Sequence, residues 1–463
     1  MTEARPIDAS SGSVDGGDDS SGRSSSNPLA IIAAMAASAV VSHALARSTF
    51  PILLPAIETE LLSNRQQSGL LGSANFVAYL VGVAVVTVVS GRVEPIRLLI
   101  SGLVAAGAGF VLLATADGMA GLAAGQALTG LGSAGIWMSG PAIATGAAPP
   151  NRRGMVMGLM SSAMGFGILL AGQGTNLLRQ IQGDDQLWRP TFIGAAIFAA
   201  VVLAVTTVLS RVPGTEPIEG GVSIERLRTV PRWVVLSSAY WLFGLVSSSF
   251  PGFFGLLLKD HGFTPGHITN LFSVLGLAAV LGAVNLGRVS DRVGRRPVLT
   301  GSMVAIGAAA ALALVGREPF AAISIATFGA ASFTFPGLTV TYLRDHLEDR
   351  AFSNALGALT LIYGTGLIIG PGLAGTVADT DLGVEAVFVG LCAIALLSAA
   401  IIAFLPRNES IGESIGEPSG ASIAGASGDQ SPRESIGQSI GDSGERPSSG
   451  EVDGGEIPAG LDQ

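Results

Sequence analysis

Of 463 residues only one is cysteine, Cys392, one is lysine, Lys259, and four are histidine. A single cysteine can close no intramolecular disulfide and build no cysteine-ligated metal cluster; set in an apolar run, Cys392 reads as a packed thiol. Charge is scarce too, since Asp, Glu, Lys and Arg make up 13% of the chain, against about 25% in soluble domains. No G-x-x-x-x-G-K-[ST] loop occurs, so an ATP motor would lack its phosphate cradle. No Asp or Glu falls well inside a long apolar run, and four scattered histidines supply neither a catalytic dyad nor a metal cluster. The chain is therefore expected not to be an enzyme, with no catalytic residue, no metal, no cofactor and no nucleic-acid partner. The Ser/Gly/Asp-rich start, up to Asn27, has no basic region leading into a short apolar stretch, so no cleavable signal peptide is expected.

What the chain has is apolar length. Hydrophobic residues make up 49% of it, and apolar runs recur from Pro28 to Pro406, most of them near the ~20 residues that span a bilayer as a helix. Proline, glycine and charged clusters divide them into twelve expected transmembrane helices, near 29–57, 67–90, 96–116, 119–146, 152–178, 190–210, 233–258, 266–287, 297–315, 319–342, 352–377 and 384–405. Pro51 and Pro55 are expected to interrupt the first. Sixty-four glycines suit close helix packing, where lipid gives no hydrophobic drive for association.

The formal charge of −9 resolves into −3 on residues 1–27, −8 on residues 407–463 and +2 on the body between them. Both tails read as disordered and cytoplasmic, and the repeats Glu409-Ser410-Ile411-Gly412 and Glu434-Ser435-Ile436-Gly437 as low-complexity sequence. With the N-terminus in the cytoplasm, fifteen arginines fall in inside loops, whereas the outside loops hold four arginines and Lys259. That asymmetry supports the helix count and the orientation. The expected organisation is an N-terminal bundle over 28–210, a cytoplasmic central loop over 211–232 and a C-terminal bundle over 233–406. The halves echo each other: Ser48-Thr49-Phe50-Pro51 with Ser248-Ser249-Phe250-Pro251, and Gly91-Arg92-Val93 with Gly287-Arg288-Val289. Correspondences at matching places in both halves are what duplication of a six-helix unit predicts.

Between the eighth and ninth runs stands the basic block Gly287-Arg288-Val289-Ser290-Asp291-Arg292-Val293-Gly294-Arg295-Arg296. Its arginines suit a tight cytoplasmic loop, its glycines a sharp turn, and Asp291 an ion pair or a helix N-terminus. The block resembles the loop signature G-x-x-x-D-R-x-G-R-R of the major facilitator superfamily, matched at Gly287, Asp291, Arg292, Gly294, Arg295 and Arg296. The resemblance implies an all-α integral membrane fold of twelve helices in two pseudo-symmetric six-helix bundles. It also implies a conformational gating role for those six residues, with Asp291 meeting the fifth helix near Asn151–Gly154. Gly366-x-x-x-Gly370-Pro371-Gly372-x-x-Gly375 is similar to the pattern that bends and packs half-interface helices in that superfamily. Gly165 to Gly172 has the glycines without the proline. In Gln126-Ala127-Leu128-Thr129-Gly130-Leu131-Gly132, Gln126 stands where proton-coupled drug exporters carry arginine, and Gly91 to Arg97 is a degraded copy of the signature with Glu94 for the aspartate.

A charge within the bilayer costs at least a few kcal/mol unless it faces a cavity or a partner, and Arg47 is the clear instance. His43 lies one turn away, on the same helical face. A fixed positive charge with no fixed negative one suits an anion, the other reading being an arginine that snorkels or binds backbone carbonyls. For His43 the readings are satisfaction by a neighbouring helix and proton carriage. Asn75, Tyr79, Gln126, Trp137, Gln173, Asn176, Tyr240 and Tyr363 are further substrate-contact candidates, with helix bridging as the alternative for each. The expected function is secondary active transport of a small organic solute, read as an organic anion, across the cytoplasmic membrane by alternating access. Protons are a candidate coupling partner, and the carrier would work as a monomer in the lipid bilayer. Drug or metabolite efflux by antiport is the alternative, followed by a non-transporting membrane sensor.

Overall fold

The computed structural model describes residues 28–90, 92–149, 152–184, 186–209 and 222–406. The expected tails, 1–27 and 407–463, and the stretch 210–221 of the expected central loop lie outside the described residues. Among the described residues there is no β-strand, and twelve long helices run in sequence. They are α1 Pro28–Leu61, α2 Arg65–Val89, α3 Pro95–Ala114, α4 Met119–Gly146, α5 Arg153–Gln182, α6 Arg189–Leu209, α7 Trp233–Asp260, α8 Pro265–Val293, α9 Arg295–Ala313, α10 Phe320–Arg344, α11 Asp349–Ala378 and α12 Gly383–Ile402. A short helix, Ile224–Arg228, precedes α7 and packs on α11.

Eleven of the twelve are long and apolar enough to cross a membrane. The other, α4, is 28 residues long, but seven glycines, Gln126 and Pro141 dilute its hydropathy, and it is enclosed by α1, α2 and α3 instead of facing outward along its length. The outer helices carry an uncovered apolar stripe. On α6, Ile193, Ile197, Val201, Val205 and Val208 are exposed while Phe192, Ala195, Ala199 and Val202 are buried. Two opposed faces that are both apolar require an apolar solvent on one side, which is the position of a helix between protein core and lipid.

The packing has two-fold pseudo-symmetry. In the N-terminal half α4 packs on α2 and α3, α6 on α3 and α1, and α5 on α1; in the C-terminal half α10 packs on α8 and α9, α12 on α9 and α7, and α11 on α7. Each contact maps onto its counterpart when helix numbers shift by six. Between the halves α2 meets α11, α5 meets α8, and α1 meets α7. Small residues set these crossings. A Cβ added at Gly375 would lie 3.0 Å from the Cα of Gly69 on α2 and 2.9 Å from the Arg65 carbonyl, and one at Gly276 would lie 2.8 Å from the backbone nitrogen of Leu169 on α5.

Two expectations from sequence need correction. The basic block is not a ten-residue loop, because α8 continues helically to Val293 and α9 begins at Arg295. The reversal is made at Gly294, whose φ of +91° is a conformation that a side chain at that position would resist. Polar character marks where a helix leaves the membrane, and a helix can continue well past that point. Nor do Pro51 and Pro55 interrupt α1, since residues Thr49–Leu61 are α-helical through both. The irregularity precedes them, as a π-helical stretch over Val40–Ser48. A proline carries no N–H for the turn before it, and a widened turn there lets the ring pass without ending the helix.

Candidate binding cavity

Widening the helix at Val40–Ser48 shifts backbone carbonyls out of register, and polar side chains take them up. Ser133 Oγ donates to Ser42 O at 3.0 Å, Ser48 Oγ to His43 O at 3.3 Å, and Asn75 Nδ2 to Ala46 O at 3.4 Å. Within a bilayer a freed carbonyl must find a protein donor or line a cavity. This stretch does both, and it carries His43 and Arg47.

Next to it lies a cavity of about 640 Å³ between the two halves, lined from the N-terminal side by His43, Arg47, Asn75, Tyr79, Gln126 and Trp137. Arg47 is the only one of Asp, Glu, Lys and Arg among its lining residues. Its guanidinium stands 4.1 Å from the centre of the Tyr79 ring and 5.6 Å from that of Phe76. Nε and Nη2 are buried and make no hydrogen bond among the described residues. Cation–π contact compensates the charge by about 2 kcal/mol when desolvated, but it leaves the in-plane N–H donors of the fork unused.

The other polar members are more committed. Asn75 Nδ2 approaches Gln126 O at 3.0 Å, Thr129 Oγ1 at 3.0 Å and Gln126 Oε1 at 3.3 Å, tying α2 to α4. His43 Nδ1 pairs with Ser42 Oγ at 2.8 Å, and its ring centre lies 4.2 Å from that of Trp137. Opposite them the C-terminal half presents aromatic surface. Tyr240 and Tyr363 stack with centroids 4.4 Å apart and planes 11° apart; Phe243 lies 5.8 Å from Tyr363 and 4.6 Å from Phe335. Trp241 turns away to donate to Thr365 Oγ1 at 3.1 Å.

Eight of the ten substrate-contact candidates thus line one cavity. Gln173 and Asn176 do not, and instead join α5 to α8. Gln173 Nε2 donates to Ser273 Oγ at 2.8 Å and Asn270 Oδ1 at 3.2 Å, and Asn176 Nδ2 to Asn270 Oδ1 at 2.7 Å; Arg179 Nη1 reaches Thr269 Oγ1 at 2.8 Å in the next turn. Spacing placed them near the middle of an apolar run, but which face meets the other half is a tertiary matter.

The end of the molecule where α1 meets α2 carries a charged set that no motif in the sequence marks. There Arg65 bonds Asp260 at 2.6 Å and lies 3.5 Å from Glu58, Lys259 bonds Glu58 at 2.7 Å, and the Arg65 backbone N–H donates to Asp379 Oδ1 at 3.2 Å. The bonds between the halves from Ser73 Oγ to Ile368 O, from Gln173 to Ser273 and from Arg179 to Thr269 lie toward this end as well. The lone lysine of the sequence was the available signal. At the opposite end, Arg295 pairs with Asp345 at 3.3 Å and donates to Ser290 Oγ at 3.2 Å, both within its own half. Arg292 is exposed and Arg296 half-buried. Asn151 and the side chain of Asp291 lie outside what is described, and so does the contact expected between them.

Residues 39–404 match the family described as "Uncharacterised MFS-type transporter YbfB". A probable 4-methylmuconolactone transporter of Cupriavidus pinatubonensis is 25% identical over 258 residues, 54% of this chain, and the uncharacterised MFS-type transporter YcaD of Salmonella heidelberg is 24% identical over 249 residues, 53% of this chain. The matched segments span only 60% and 63% of those two proteins. Among solved structures, the nucleoside transporter NupG superposes with a TM-score of 0.67 at 13% identity, covering 81% of this chain and 98% of its own. A bacterial homologue of the human lysosomal transporter Spinster, inward-facing and unoccupied, gives 0.61 at 16%, covering 81% and 95%. With a family match over most of its length and this twelve-helix fold, the chain belongs to the major facilitator superfamily, whose members are multi-pass membrane transporters and not enzymes.

Proposed function

We propose that this protein is a secondary active transporter that carries a small organic anion across the cytoplasmic membrane by alternating access, as a monomer with both termini in the cytoplasm. One observation carries the reading: among the described residues Arg47 is the only fixed charge on the cavity wall, and its Nε and Nη2 are buried without hydrogen-bond partners there. A buried guanidinium without a counter-ion is costly, and a carboxylate, sulfonate or phosphate would relieve that cost while accepting two parallel N–H bonds. His43, one turn away on the same wall, is the group that would gain a proton as the anion arrives, coupling the two in symport. The clustering of inter-half bonds at the Arg65 end supports a state closed on that side. With the Gly287–Arg296 block in the cytoplasm, this is the inward-facing state, and the block, Asp291 included, is proposed to gate the return.

Uptake of carboxylates into proteoliposomes tests this. Transport should fall in the order wild type, Arg47→Lys, Arg47→Ala, because lysine keeps the charge and loses the fork. His43→Gln should remove the dependence of uptake on an imposed pH gradient. The aromatic remainder of the wall supports a second reading, efflux of an apolar drug or metabolite. If Arg47→Ala transports carboxylates with the wild-type rate and half-saturation concentration, the anion reading fails and efflux replaces it.

A further inference from the structure

The wall facing Arg47 points to a narrower cargo class, and this inference rests on the anion reading above. Tyr240, Phe243, Tyr363 and Phe335 form one slab of rings, with planes 5° apart for Tyr240 and Phe243, 11° for Tyr240 and Tyr363, and 26° for Phe243 and Phe335. Three of the four are nine-tenths or more buried, and Tyr363 is the half-buried member at the slab's cavity side. Near-parallel stacking is a specific arrangement, since aromatic pairs in cores adopt edge-to-face geometries as readily. Its members come from three helices, α7, α10 and α11, so the slab is held from several directions. Across the cavity, Tyr79 lies beneath the Arg47 guanidinium, and Tyr79 and Tyr240, 6% and 5% exposed, both line the cavity.

We infer that the cargo is an amphipathic planar organic acid. Its single anionic group sits on the Nε and Nη2 donors of Arg47, its unsaturated or aromatic body lies against the Tyr363 edge of the slab, and a polar substituent on that body meets the phenols of Tyr79 and Tyr240. The cavity of about 640 Å³ is of the size that encloses drug-sized ligands. A small hydrophilic anion such as lactate would leave the slab facing water. A saturated ring of the same charge would lose the stacking contribution and keep the rest. A neutral planar molecule would leave the guanidinium unpaired, so neither feature alone specifies the cargo.

The test is competition for binding to the purified protein, followed by intrinsic fluorescence or thermal shift, with benzoate, cyclohexanecarboxylate, lactate and benzamide as probes. Benzoate should bind about three- to tenfold more tightly than cyclohexanecarboxylate, the range expected of one aromatic contact, and more tightly than lactate or benzamide. Tyr363→Leu should abolish the preference for benzoate over cyclohexanecarboxylate while both still bind in an Arg47-dependent way, and Tyr363→Phe, which keeps the ring, should retain it. If benzoate and cyclohexanecarboxylate bind equally to the wild type, or if Tyr363→Leu keeps the preference, the planar-acid inference is overturned and the anion reading stands. If benzamide binds as tightly as benzoate and Arg47→Ala changes neither, the anion reading falls and takes the inference with it.

Discussion

At the scale of single residues, the cavity separates polar groups that hold the scaffold from those that remain available. Asn75 and Gln126 spend their hydrogen bonds on each other, on Thr129 and on the carbonyl of Ala46. Arg47 spends none on a protein partner at two of its three nitrogens. Both kinds of residue looked alike in the sequence, as polar atoms in apolar runs, because a sequence does not show which neighbours are within reach. The difference yields opposite expectations. Asn75→Ala should cost about 1 kcal/mol of stability, the scale of inter-helix hydrogen bonds in membrane proteins, seen as a lower melting temperature in detergent, with the half-saturation concentration for a carboxylate little changed. Arg47→Ala should do the reverse, since removing a buried charge that has ring contacts but no counter-ion relieves a desolvation cost as it removes the binding group. A large affinity loss in Asn75→Ala with unchanged stability would place that amide on the cargo.

At the scale of helices, the inter-half crossings depend on small residues at a few positions and tolerate bulk elsewhere. The α2–α11 contact closes over Gly69 and Gly375, where an added Cβ at Gly375 has backbone atoms at 2.9 and 3.0 Å. Gly375→Val therefore has to push two helices apart, at a cost of about 1–3 kcal/mol. Gly194→Val on α6, where an added Cβ meets nothing within 4 Å, serves as the control and should be near neutral. Thermal unfolding of the two variants side by side checks this, and equal melting temperatures would mean that the crossing is looser than its geometry. The glycine-proline pattern of α11 was legible in the sequence as a packing device. Its partners were not, since Gly375 meets Gly69 across roughly three hundred residues of chain, while Gly366 meets Gly244 within its own half.

At the scale of the whole molecule, an ion-pair set joins the two halves at the Arg65 end. Glu58, Arg65, Lys259 and Asp260 form a connected set in which the Glu58 side chain is only 12% exposed. Partial burial makes such a network worth more than isolated surface pairs, and about 1–2 kcal/mol would move a two-state balance roughly five- to thirtyfold. The double variant Arg65→Ala, Lys259→Ala should open that end. A cysteine introduced at Ser248, with Cys392 changed to serine, should then react faster with an impermeant maleimide applied from the Arg65 side. High salt should mimic the variant in part, because screening weakens the exposed members. An unchanged labelling rate in both conditions would assign closure to the helix crossings alone.

The sequence by itself determined the helix count, nearly every helix boundary and the fold class, because membrane insertion is decided locally: a run of about twenty apolar residues either spans or does not. The duplication was legible for a related reason, since equivalent helices meet equivalent surroundings and keep similar residues, as in Ser48 to Pro51 and Ser248 to Pro251. Arg47 stood out because a charge in hydrocarbon demands a reason wherever the helix lies. Only the tertiary structure decided the rest. It put Gln173 and Asn176 on the α5–α8 seam, moved the irregularity of α1 from its prolines to Val40–Ser48, and assembled from separate helices a slab of four aromatic rings and a set of ion pairs between the halves. These depend on the rotation of each helix about its own axis. In a helix apolar all round, hydrophobic periodicity is too weak to fix that rotation, so packing against the neighbours sets it.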